Sequence, residues 1–190
     1  MQNKSVMFVG VGGQGTLLAS RIIGNALLGM GFDVKVSEVH GMSQRGGSVV
    51  TYVKYGEKVF NPLIEKGEAD VIIAFERLEA LRWISYLKIG GKMIASTQRI
   101  DPMPVITGAA LYPDEIIDKI SSSGVEVLAV DALKLANEAG SAKAINVVLI
   151  GVYAKISDID KEIWLNALKD TVPKKFLELN LKAFDLGYNS

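Results

Sequence analysis

The sequence predicts an α/β fold: a three-layer, Rossmann-like α/β/α sandwich with a mostly parallel sheet, an antiparallel hairpin and a helical C-terminal third. Three observations predict it. Short apolar runs bounded by glycine or an acid, among them SVMFVG, ADVIIAFE, GGKMIAS and VEVLAVD, have the texture of strands buried on both faces. The segments between them carry apolar residues at helical spacing. At the first strand-to-helix junction, Gly10, Gly12 and Gly15 satisfy G-x-G-x-x-G. Strands alternating with helices over short connections stack as helices on both faces of one sheet. A chain of 190 residues is long enough for one such core, so 1–190 is read as a single domain.

After SVMFVG, a helix is predicted from about Gly15 to Met30. Its buried face carries Ala19, Ile22, Ile23, Ala26, Leu27 and Met30, and Gly31 ends it. DVKVSE is the second strand. SVVTYVKYGEKVF is rich in β-branched and aromatic residues, and Gly56 at the first central position of a turn with Glu57 predicts a type II′ hairpin. ADVIIAFE and GGKMIAS are strands separated by a helix through RLEALRWISYL. A proline-marked loop, RIDPMPV, leads toward a helix near PDEIIDKISS. VEVLAVD runs into the helix DALKLANEAG, with Asp131 as N-cap and Gly140 as stop. Three helices follow: AKAINVVLIGVYAKI with a buried amide at Asn146, DKEIWLNALKDTV, and PKKFLELNLKAF with Leu177, Leu181 and Phe184 at core spacing.

Composition excludes several functions. Lysine and arginine number 21 and so do the acids, which leaves no net charge to grip nucleic acid or an anionic membrane. The longest apolar runs, such as VVLIGVYA, fall far short of the roughly 20 residues of a spanning helix. MQNKSVMFVG lacks a charged segment followed by a long apolar stretch, so a cytoplasmic location is expected. Without cysteine, these residues form no disulfide, thiolate nucleophile, zinc knuckle or cysteine-held iron–sulfur cluster. With one histidine, no transition-metal site is expected.

Ligands in such sheets gather outside the carboxyl ends of the strands. That edge should carry Gly10 to Gly15, Glu38 to Gly47, Glu76, Ser96 to Gln98, and Asp131. Two stretches there carry the candidate site. In the first, Gly10, Gly12, Gly13, Gln14 and Gly15 offer a tight turn and helix N-terminal amides to an anion, with Glu38 placed 23 residues after Gly15 as a ribose-binding acid. The same glycines equally serve to pack a helix on a sheet. In the second, HGMSQRGG brings His40, Gln44 and Arg45 together with Gly41, Gly46 and Gly47. Arg45 presents a planar fork for carboxylate or phosphate, and the imidazole of His40 is a candidate proton shuttle. Against this, His40 and Gln44 satisfying the loop's own backbone is a purely structural alternative. Glu76, Glu79 and Arg82 come at a spacing of three just after a buried strand; paired carboxylates can do acid–base work, but the two acids are read here as first-turn residues favouring a helix dipole. No catalytic residue is assigned.

Taken together, VGVGGQG and SEVHGMSQRGGSVV resemble the gamma-type subunit of 2-oxoacid:ferredoxin oxidoreductases. The resemblance continues through NPLIEKGEADVIIAFERLEALR, YPDEI, VDALKLANEAGSAKAINVVLIG and KFLELNLKAFDLG, from about Val6 to Gly187. Within the family, HGMSQRGG is most similar to the small (beta) subunit of indolepyruvate ferredoxin oxidoreductase. The resemblance implies a subunit inactive alone, with thiamine diphosphate and iron–sulfur clusters held by a large partner subunit. Coenzyme A would be co-substrate, and electrons would pass through the complex to ferredoxin as a 2-oxoacid is oxidatively decarboxylated to an acyl-CoA. A free-standing NAD-binding oxidoreductase domain and a purely structural assembly subunit remain the alternatives.

Overall fold

A computed structural model describes residues 3–39 and 47–190. Its six strands are β1 (Lys4–Val11), β2 (Asp33–Val39), β3 (Ser48–Gly56), β4 (Ala69–Ala74), β5 (Leu87–Ser96) and β6 (Glu126–Val130). They form one sheet in the order β2-β3-β1-β4-β5-β6. β1, β4, β5 and β6 run parallel, whereas β3 is antiparallel to both β1 and β2. The helices are α1 (Thr16–Gly29), α2 (Arg77–Trp83), α3 (Met103–Ile106), α4 (Ile116–Ser122), α5 (Ala132–Ala139), α6 (Ile145–Ile156), α7 (Lys161–Thr171) and α8 (Leu177–Tyr188).

Alternation along the central strands builds the three layers, because successive side chains point to opposite faces. Val6, Phe8, Ile73 and Ile94 meet α1, α5, α6, α7 and α8, while Met7, Val9, Ile72 and Met93 meet α2 and α4. α6 is buried continuously from Ile145 to Ala154, as befits a helix apolar on every side. It lies at the centre of its layer, against α8, α1 and α5.

Most predicted elements appear where the patterns place them. Asp131 caps α5 by accepting from the Lys134 amide at 3.0 Å, and Gly140 ends that helix with φ of 120°. Two readings need correction. Met30 lies past the last residue of α1 and is 40% exposed, so it is no part of the buried face. There is also no hairpin at Gly56–Glu57. Gly56 does not have the positive φ that a type II′ turn requires there. It packs against Asn3: a Cβ would lie 2.1 Å from Asn3 Oδ1 and 3.1 Å from Asn3 Cα, so the exposed Asn3 side chain would have to shift. The chain then turns away, and the Val59 amide donates to Asp33 Oδ2 at 2.9 Å. The antiparallel partner of β3 is β2, in register from Val39↔Val50 to Asp33↔Gly56. The connection of that hairpin is therefore the stretch from His40 to Gly47 itself.

Candidate functional site

The glycine loop is organised by Gln14. Its Oε1 accepts from the Val11 amide at 2.7 Å, and its Nε2 donates to the Phe75 carbonyl at 3.0 Å and to Gln98 Oε1 at 3.1 Å. One side chain thus joins the ends of β1 and β4 to the loop after β5. The Gly12 amide donates to the Gly47 carbonyl at 2.9 Å, which brings the two sequence motifs together. Gly15, at the N-cap of α1, adopts φ of 83°. Its carbonyl accepts from Asn146 Nδ2 at 3.2 Å, while Asn146 Oδ1 accepts from the Val147 amide at 2.9 Å. A Cβ at Gly15 would lie 2.6 Å from that Nδ2. Glycine is required there by both conformation and space.

The carboxyl edge collects the predicted positions: Gly10 to Gly15, Glu76, Ser96 to Gln98 and Asp131 end strands or lie in the loops after them, and Gly47 immediately precedes the antiparallel β3 at the same edge. Glu38 sits near the end of β2, opposite Thr51 of β3. Because β3 intervenes, Glu38 is two strand spacings from β1, roughly 10 Å instead of the roughly 5 Å of adjacent strands. The Val11 and Gly12 amides are also already engaged. This arrangement departs from an ordinary dinucleotide loop, where the acid-bearing strand neighbours the first. His40, Gly41, Gln44, Arg45 and Gly46 lie outside the described residues.

The two acids after β4 do more than favour a dipole. Glu76 is 1% exposed; it caps α2 by accepting from the Glu79 amide at 3.0 Å, and also accepts from the Ile100 amide at 3.2 Å and from the Tyr112 hydroxyl. Glu79 is 3% exposed and takes Arg82 Nη1 at 2.9 Å, Trp83 Nε1 at 3.2 Å and the Ser48 hydroxyl. Glu76 therefore pins the loop after β5, and Glu79 pins the first residue of β3 at the foot of the His40–Gly47 stretch. The guanidiniums of Arg77 and Arg99 lie 5.2 and 4.3 Å from the centre of the Tyr112 ring.

These motifs belong to a known family. The family model described as pyruvate ferredoxin/flavodoxin oxidoreductase matches residues 5–190. The chain belongs to that family. It is a gamma-type subunit of a 2-oxoacid:ferredoxin oxidoreductase. The indolepyruvate oxidoreductase subunit IorB of Thermococcus kodakarensis is 43% identical over 192 residues, which cover 98% of this chain and 95% of that protein. The pyruvate/ketoisovalerate oxidoreductases common subunit gamma of the same organism is 25% identical over 187 residues, covering 97% of this chain and 95% of that one. The fold matches the crystal structure of a keto/oxoacid ferredoxin oxidoreductase gamma subunit from Geobacter sulfurreducens with a TM-score of 0.76 at 24% identity, over 100% of this chain and 96% of that chain.

In the gamma-type subunit, the bonds of Gln14 to Gln98 and of Glu76 to Ile100 and Tyr112 are not visible in the sequence, because the partners come from separate loops. The one signal was a pair of acids directly after a buried strand. Among the described residues there is no group of three or more histidine, aspartate or glutamate side chains able to hold a metal, and no helix long and apolar enough to cross a membrane. Burial, reinforced by the hydrogen bond to Glu76, pushes the Tyr112 phenol well above its ordinary value of 10.0. Burial does the same to Tyr153, which shares a hydrogen bond with Tyr55. The folded values exceed the unfolded one, so their contribution to stability is intact below pH 10.0 and is lost as the pH rises above it. In an alkaline titration, the 295 nm absorbance of these two phenolates should rise together with the loss of far-ultraviolet ellipticity. Ionisation of Tyr112 and Tyr153 in a chain that keeps its ellipticity would contradict their burial.

Proposed function

We propose that this gamma-type subunit serves a thiamine diphosphate-dependent enzyme acting on indolepyruvate or a related aryl pyruvate, yielding an acyl-CoA and passing electrons to ferredoxin. The observation that carries the substrate reading is the contrast within one organism: 43% identity to the indolepyruvate subunit against 25% to the pyruvate/ketoisovalerate subunit, each over nearly the whole chain. A chain without cysteine does not fit an iron–sulfur cluster, so the clusters belong to a large partner subunit, as does thiamine diphosphate. When bound there, thiamine diphosphate supplies the carbanion stabilisation that decarboxylation needs.

The role of this chain is to present its carboxyl edge to that partner. His40 to Gly47, with Gly12 to Gly15, form the meeting face; Gln14, Glu76 and Glu79 hold its base, and Arg45 is the residue for an anion, either a coenzyme A phosphate or a partner carboxylate. Replacing Arg45 by Ala should raise the KM for coenzyme A or weaken assembly about tenfold or more, while circular dichroism shows the subunit still folded. Unchanged assembly and unchanged kinetics in that variant would remove Arg45 from the role. A change in assembly with full turnover per assembled complex would assign the loop to assembly alone.

A further inference from the structure

The opposite edge of the sheet carries a second feature, which the subunit reading does not use. A cavity of about 370 Å³ opens among the amino ends of β1, β4 and β5, the end of α6 and the loop leading to α7. That volume falls in the range of small-molecule sites, which run from roughly 300 Å³ upward. Its walls are mainly apolar, with Phe32, Val71, Ile156 and Ile159 around the body and the buried, mutually hydrogen-bonded pair Tyr55 and Tyr153 as the floor. The length of β1 separates it from the glycine loop by roughly 23 Å.

Its charges select the ligand. Of the lysines at the mouth, Lys88 is paired with Asp70, and Lys92 with Glu126 at 3.1 Å. Asp70 is further engaged by the Ser5 amide at 2.8 Å. Lys4 and Asp158 differ: both line the cavity, and among the described residues neither side chain has an ion-pair or hydrogen-bond partner, including each other. Lys4 lies directly across from Tyr55 in the antiparallel β1–β3 pair, so its side chain shares the face on which the cavity opens. One unpaired cation and one unpaired anion beside an apolar wall complement a zwitterion with an apolar body.

We infer that this cavity binds a free α-amino acid with a large apolar side chain, its carboxylate on Lys4, its ammonium on Asp158 and its side chain between Phe32, Val71 and Ile156. The inference is independent of which 2-oxoacid the enzyme uses.

The test is calorimetric titration of the full chain, alone and in its purified complex, with L-phenylalanine and L-leucine. Phenylpropionate, which lacks the ammonium, and phenethylamine, which lacks the carboxylate, are the controls. Saturable binding of the amino acids is expected in both preparations, with each control at least tenfold weaker. Lys4→Gln and Asp158→Asn, both at exposed positions, should each weaken amino-acid binding about tenfold and leave the melting temperature of the free chain unchanged. Absence of binding, phenylpropionate binding as well as phenylalanine, binding indifferent to both substitutions, or binding lost on assembly would each overturn the assignment.

Discussion

Gly151→Ala and Gly187→Ala should be among the most damaging single-methyl additions in this chain. A Cβ at Gly151 would lie 2.2 Å from the Phe184 carbonyl oxygen and 2.8 Å from the Tyr188 amide nitrogen; one at Gly187 would lie 2.0 Å from the Val148 carbonyl oxygen. The obstacles are backbone atoms, so no rotamer change relieves them and α6 must part from α8. Overpacking of this kind costs on the order of 3 kcal/mol, which for a chain of this size lowers Tm by roughly 6–12 °C. The two sites share one contact, so the double variant should lose less than the sum of the single losses. Gly24→Ala is the control. Nothing lies within 4 Å of a Cβ there, and removing a helical glycine should stabilise by up to about 1 kcal/mol. Thermal unfolding of the four variants checks the set; a Gly187→Ala chain as stable as the parent would mean that α6 and α8 are not in backbone contact.

Glu76→Ala should have the second large effect, felt first in stability and then in function. The carboxylate accepts from two backbone amides and one phenol in a site closed to water. Its removal leaves all three donors unsatisfied and takes away the cap of α2. Each orphaned donor costs about 1–3 kcal/mol, so a total loss on the order of 4 kcal/mol is expected. Glu76→Gln keeps a single acceptor oxygen, which can serve either the Glu79 amide or the Ile100 amide and the Tyr112 hydroxyl but not all three, so it should recover part of that loss, on the order of half. Denaturant unfolding of the two variants measures the difference. The Ile100 amide held by Glu76 lies two residues beyond Gln98, the partner of Gln14. At a temperature where both chains are folded, Glu76→Ala should therefore also disturb assembly more than Glu76→Gln. Equal stability of the two variants would mean that the hydrogen-bonding of the carboxylate is not what holds this edge.

Most elements of the fold were legible because their signals are local. Apolar runs marked β1, β4, β5 and β6, and Asp131 and Gly140 bounded α5. Strand order was not legible, since which strands pair depends on contacts between distant segments. The place of β3 between β1 and β2 is the clearest case. The texture of SVVTYVKYG correctly indicated an antiparallel strand, yet both its partners lie upstream, and Gly56 answers to Asn3 and not to a turn. In the candidate site, the glycine motif was legible as a motif but not in its meaning. The engagement of the Val11 and Gly12 amides, and the displacement of Glu38 by one strand, arise from Gln14, Gly47 and β3 together. Glu76 and Glu79 read as ordinary first-turn acids because their partners Tyr112, Ile100 and Ser48 are 24 to 36 residues away along the chain.

The most direct test of the subunit's role is affinity purification of the native complex through this chain, with mass spectrometry and cofactor analysis of what accompanies it. Co-purification of a larger, cysteine-rich chain carrying iron and thiamine diphosphate, in a complex that reduces ferredoxin with indolepyruvate and coenzyme A, is the expected result. A solitary chain, or one that carries NAD, would contradict it.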